Sequence, residues 1–395
     1  MNTRLFPIAA APPPTPITRE PTAHRFWGGG LVALLLGFGL GVYLWCQQWG
    51  IFPFSTTYPD WRLLHAKVQF LLFTGSFVLG FALQAGPHVI GGTPPDSRSI
   101  LRLLFPLWFG FLLGLLPDPT IRTIGNVLIT LAFAGAAFAL VGVMKSADRQ
   151  RALPVGIPLV TGIAAMGAAP WLPLDQPDVA LAALLAGPVS CILAVVQHLV
   201  ANILGGRRPM GTPAHLFTAA WLIAWLAAWG SAVQRLPWAL TGPLWAFITL
   251  WLIVAVRLFP VLRGRPLESI VLTLVIGLLA LPLAGMLLFF GGHGAIDPAL
   301  HLVSIGMVAT MILGVTARVA GFFSGGFVMH DRLLSILLLA WLGVVALRTV
   351  VPLGILAGER SVLAASLLAT VLLLFWVVRV GWRLLVFGRR AAAGK

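Results

Sequence analysis

The sequence offers few side chains with chemistry: eight histidines, two cysteines and eleven carboxylates in 395 residues. His65 and His301 stand out because each lies within about a turn of the same end of a long apolar run. Two imidazoles at similar depth on neighbouring helices could share a metal ion or a haem, each presenting a neutral nitrogen lone pair. His293, in the short segment before His301, is a candidate third ligand. The alternative is a pair of interfacial histidines bonded to backbone or water, and the spacing is compatible with both. Lys67, two residues beyond His65, either holds a fixed positive charge inside the bundle for an anion or reaches outward to the interface beside Trp61. Arg318, near the opposite end of the run that holds His301, can bind an anionic group or pair with helix-end carbonyls or lipid phosphate. His88, His198, His215 and His330 fall toward that opposite end, where they either form a second metal cluster or, as scattered loop and helix-end histidines more often do, face water.

These residues must be positioned by membrane helices. Of the chain, 59% is apolar and only 9% charged, with a mean hydropathy of +0.97, whereas a soluble domain carries about 25% charged residues. Charges, prolines and glycines divide it into twelve runs, at 27 to 48, 62 to 86, 99 to 116, 121 to 144, 154 to 172, 179 to 204, 213 to 233, 237 to 259, 267 to 290, 299 to 322, 332 to 352 and 361 to 387. Each approaches the roughly 20 residues that a crossing needs. Backbone polar groups in hydrocarbon must be paired within the segment, so the runs are helices. The expected fold is all-α and polytopic: a proline-rich disordered tail over 1–24, one membrane domain over 25–390, and a short tail over 391–395.

The net charge of +15 is explained by where the charges lie. With the N-terminus inside, the tail, the even-numbered loops and the C-terminus carry 20 of the 26 basic residues, and the opposite side only Arg62, Arg122, Arg235, Arg348 and Arg360. That asymmetry is the positive-inside pattern; it places both termini in the cytoplasm and makes the lipid bilayer, not nucleic acid, the partner of the basic residues. Cys46 and Cys191 stand singly, so neither a disulfide framework nor a paired-cysteine metal motif is present. Phosphate-binding loops, zinc-protease motifs, nucleophile elbows and paired intramembrane carboxylates are absent, so the sequence leaves open whether the chain is an enzyme.

The second, sixth and tenth runs share an ending. Gly80 precedes the pair Gly91-Gly92 by eleven residues, and Gly314 precedes Gly325-Gly326 by the same eleven; the sixth run ends at Gly205-Gly206, with Ala194 at the helical glycine position. Gln84, His198 and Arg318 then correspond, and Lys67 falls opposite His301. Elements four apart and equally oriented imply three four-helix units in a pseudo-threefold arrangement.

His65-Ala-Lys-Val-Gln69, followed by Gly80-Phe and Gly86-Pro-His-Val-Ile-Gly91, resembles the second-helix signature of the NnrS family. His301-Leu-Val-Ser-Ile-Gly306 with Met311-Ile-Leu-Gly314-Val-Thr-Ala-Arg318 resembles its tenth-helix signature. The resemblance implies a twelve-helix bacterial inner-membrane protein similar in architecture to subunit I of haem-copper oxidases. It also implies bound haem and copper, and a role in nitric oxide or nitrosative-stress chemistry. His65, His301 and Arg318 are the positions that match, while Lys67 stands where the family has a second histidine. On that reading Lys67 meets a haem propionate or replaces the lost ligand. A cofactor-free transporter or assembly factor on the same scaffold is the alternative, and it would be marked by a helix broken near mid-membrane, for which Pro282 is the candidate.

Overall fold

A computed structural model describes residues 23–263, 268–323, 328–354 and 359–392. The expected tail up to residue 22, the Gly325-Gly326 pair and the last three residues lie outside that range. Eleven apolar helical stretches are long enough to cross a membrane, and the longest, Ser269–Ala320, holds 52 residues. At about 1.5 Å per residue it is more than twice the ~30 Å hydrocarbon thickness. It is interrupted at Gly292–Ala295, where Gly292 takes φ +54, so it makes two crossings. The helices are α1 (Ala23–Gln48), α2 (Tyr58–Gln84), α3 (Ser97–Gly114), α4 (Pro119–Ser146), α5 (Arg149–Ala168), α6 (Pro177–Leu204), α7 (Thr212–Ala232), α8 (Trp238–Ala255), α9 (Ser269–Gly291), α10 (296–323), α11 (Asp331–Val350) and α12 (Glu359–Ala392). Among the described residues there is no strand. The chain is an all-α polytopic membrane protein.

The most apolar-packed helices are α2 and α6, with 78% and 94% of their most hydrophobic windows buried, against 22% for α3 and 33% for α12. Together with α10 they form the centre, and the remaining helices ring them. Each central helix contains a π-helical stretch at a corresponding place: Val68–Thr74, Leu185–Val189 and Leu302–Ala309. At the end of each stretch a small hydroxyl residue stands fifteen positions before the terminal glycine pair: Ser76, Ser190 and Thr310, all fully buried. Ser190 Oγ donates to Leu185 O at 2.9 Å and Thr310 Oγ1 to Ile305 O at 3.1 Å, each reaching back five residues. A π-turn misaligns carbonyls from the regular ladder, and a buried orphan carbonyl is costly. Indole donors contribute as well: Trp225 Nε1 donates to Ala186 O, and Trp341 Nε1 gives Ile305 O a second bond. Trp221, one turn before Trp225 on α7, donates to Ser190 Oγ at 2.9 Å.

The glycine pairs close the repeat. Gly91 and Gly205 are left-handed helix caps, at φ +90 and +71. In these two pairs the second glycine abuts a carbonyl two helices on: a Cβ at Gly92 would overlap Val143 O of α4, and one at Gly206 would lie 2.6 Å from Val256 O just after α8. Pro282 does not break α9, which runs continuously from Ser269 to Gly291 with Pro282 buried. Bundle ends are named here by α1: the near end, where it begins, and the far end, where it finishes.

Candidate functional site

The far half of the bundle holds a cavity of about 250 Å³ between α1, α2, α10, α11 and α12, with the start of α6 at one side. On α2 its wall is Tyr58, Arg62, His65, Ala66, Gln69, Phe70 and Phe73, spacings that keep to one helical face. On α10 it is Asp297, His301, Ser304, Ile305 and Val308, again one face. The cavity therefore brings His65 and His301 together from opposite walls.

Both imidazoles are held in the same way. His65 Nδ1 lies 2.7 Å from Gly37 O on α1, and His301 Nδ1 lies 2.8 Å from Asp297 O one turn earlier. A carbonyl only accepts, so each Nδ1 carries the proton and each Nε2 keeps its lone pair. Backbone anchoring of one ring nitrogen is the arrangement that orients a histidine for ligation through the other. Space for His65 comes from glycine: a Cβ on Gly41 would sit 2.7 Å from the ring carbon Cε1, and one on Gly37 would sit 2.9 Å from the amide of Gln69. Gly37 and Gly41 are one turn apart, which makes a single flat strip of α1 against this face of α2.

Arg348, near the end of α11, completes the site. Its Nη2 donates to His301 Nε2 at 2.9 Å, both terminal nitrogens lie 3.4 Å from Asp297 Oδ2, and the guanidinium sits 5.1 Å over the Trp45 ring. It is only 9% exposed. An isolated charge is not kept at that depth, and Asp297 with the Trp45 face supplies the compensation. Arg62 lines the same cavity, so the wall carries two guanidiniums and one carboxylate. Trp45 Nε1, from a further lining residue, is buried without a hydrogen-bond partner. The donors outnumber the acceptors, and the cavity suits a ligand with negative charge.

Lys67 does not line this cavity. Residues two apart on a helix point about 200° apart, so with His65 turned inward Lys67 looks the other way; its charged neighbours are Arg122 of α4 and Asp175 before α6. The expectation that Lys67 and His301 share a cavity fails on symmetry. A threefold rotation carries the α2-facing side of α10 onto the α6-facing side of α2, so equivalent residues face successive gaps. His293 also stays apart: its side chain is 79% exposed and Nδ1 is 3.8 Å from Asp178 Oδ1. Arg318 is exposed toward the near end. Among the described residues no three His, Cys, Asp or Glu side chains converge as a metal cluster. Arg348 was legible only as a loop charge; its position just inside the end of an apolar run was the available signal.

No curated protein matches the chain. The family model described as NnrS protein matches residues 21–386, which takes in all of α1 to α11 and most of α12. The all-α membrane bundle is consistent with this match over nearly the whole chain, and the chain belongs to the NnrS family.

Proposed function

We propose that this protein is a haem-binding member of its family, holding the cofactor between His65 and His301 and acting in nitric oxide or nitrosative-stress chemistry. The observation that carries the proposal is the paired anchoring of the two rings, each with Nδ1–H on a backbone carbonyl and its lone pair on Nε2, which in His301 is capped by Arg348 until a ligand displaces the guanidinium. In charge and ligand type the residues fit haem better than a bare copper ion, and the cavity of about 250 Å³ must widen to admit the whole porphyrin. Two guanidiniums in the wall repel a cation but match the carboxylates of a porphyrin, and among the described residues no third ligand for copper stands at the pair. Arg348 and Arg62 are the propionate partners on this reading; Lys67 and Arg318 are outside it. When bound, haem supplies a redox-active iron able to take diatomic ligands.

The chain's own part is to orient both imidazoles through Gly37 and Asp297, to place positive charge beside the carboxylates, and to exclude bulk water with Trp45, Phe70, Phe73 and Trp341. The basic near end faces the cytoplasm of a bacterial inner membrane on the positive-inside argument, and the site lies in the half of the membrane away from it. The cofactor-free transporter reading loses support from the unbroken α9. An absorption spectrum of protein expressed with haem supply decides: a Soret band lost in both His65→Ala and His301→Ala is expected, and a colourless wild-type protein refutes the proposal.

A further inference from the structure

A second cavity, of about 80 Å³, lies among the central helices toward the near end. Apart from Leu159 and Leu199, its lining obeys the internal repeat residue by residue. Phe77, Cys191 and Met311 each stand fourteen positions before the first glycine of the terminal pair; Val78, Ile192 and Ile312 stand thirteen before it; Phe81, Val195 and Val315 ten; and Ala82, Val196 and Thr316 nine. All twelve line the cavity, so it sits on the pseudo-threefold axis. This also makes α6 a full member of the repeat, although its helical glycine is Ala194.

We propose that this axial cavity is a binding site for a small apolar gas molecule. Three arguments select the occupant. Thr316 and Cys191 are the only lining residues with a polar side-chain group, and Cys191 Sγ is turned to Leu159 O at 3.7 Å; a buried water needs two to four polar partners, so water is disfavoured. The volume is too small for an aromatic molecule, which needs about 150 Å³. The burial of α2 and α6, the most enclosed helices of the bundle, disfavours a lipid chain. The void persists because equivalent positions on three helices meet at one axis with unequal side chains, Phe, Cys and Met in one layer and Ala, Val and Thr in another, and such a layer does not interlock.

The site adjoins the histidine cavity. Phe73 lines that cavity and Phe77 the axial one, and their rings meet edge-on with centroids 5.4 Å apart. One aromatic layer therefore separates them.

Dissolved dioxygen is a suitable probe because its paramagnetism broadens the signals of nuclei it touches. The full-length protein, labelled on its methionine methyls, is equilibrated under dioxygen pressure; Met311 lines the cavity, whereas Met166 and Met307 are equally buried and do not. Met311→Leu assigns the signal. The expected result is a Met311 methyl broadened several-fold more than the other two, with the excess removed in Ala82→Leu, which fills the void. Equal broadening of the three methyls in the wild-type protein overturns the proposal whether or not the Ala82 variant folds. So do contacts from lipid acyl protons to the Met311 methyl, which would identify a chain as occupant. The measurement needs no haem, so a colourless protein would leave this proposal standing while refuting the other.

Discussion

Arg348 Nη2 lies 2.9 Å from His301 Nε2, on the one nitrogen of that ring able to ligate. The guanidinium thus caps a lone pair that a cofactor needs, and it has Asp297 and the Trp45 face to fall back on. Removing its charge exposes the nitrogen and also removes a partner for a carboxylate. Arg348→Gln is expected to weaken haem retention about tenfold, the loss of one charged hydrogen bond, while nickel binding to the haem-free protein rises. Haem dissociation to apomyoglobin and nickel calorimetry measure the two effects, and a loss of both affinities would mean that Arg348 only holds the fold.

Asp297 is the only carboxylate in the cavity wall. Asp297→Asn leaves Arg348 buried without its counter-charge, and because the Asp297 side chain is 36% exposed the loss should be about 1–2 kcal/mol, not that of a fully buried pair. A lower thermal midpoint in detergent, recovered in the double variant with Arg348→Met, is the expected pattern.

Gly41 and Gly39 are neighbours on α1 with opposite surroundings. A Cβ at Gly41 meets the His65 ring, whereas a Cβ at Gly39 has nothing within 4 Å. Gly41→Ala should displace His65, shift the Soret maximum and destabilise by about 1–3 kcal/mol through overpacking. Gly39→Ala should leave the spectrum unchanged.

Lys67 faces away from the histidine pair, so Lys67→Ala should leave both the spectrum and haem retention as they are. Lys67→His should fail to strengthen the spectrum for the same reason. A shifted Soret maximum in either variant would place the lysine in the site after all.

Ser190 and Thr310 satisfy carbonyls of their π-stretches, whereas the equivalent Ser76 Oγ has no partner. Ser190→Ala, which orphans both Leu185 O and the Trp221 indole N–H, should cost about 2–3 kcal/mol, Thr310→Val about 1 kcal/mol or less because Ile305 O keeps its bond from Trp341, and Ser76→Ala should be neutral or stabilising. Thermal unfolding of the three variants provides the comparison.

The sequence by itself determined the class of fold, because only helices pair their backbone groups over so many apolar runs of membrane length. It also exposed the repeat through Gly91 and Gly205, which need a left-handed cap, and Gly92, which has no room for a Cβ. His65 and His301 were legible as candidates because a polar ring in an apolar run requires a reason. What sequence could not decide was direction. Depth follows from counting residues along a helix, but which gap a side chain enters depends on how helices are arranged about the axis. That is why Lys67, matched to His301 by count, points toward α6 while His65 points toward α10. Arg348 and Asp297 are separated from His65 by hundreds of residues, and their convergence with Trp45 over one cavity is a product of packing between α1, α10 and α11. The axial void is of the same kind: each lining residue reads as an ordinary apolar position in its own helix, and only the meeting of three unequal side chains at one level leaves the space unfilled.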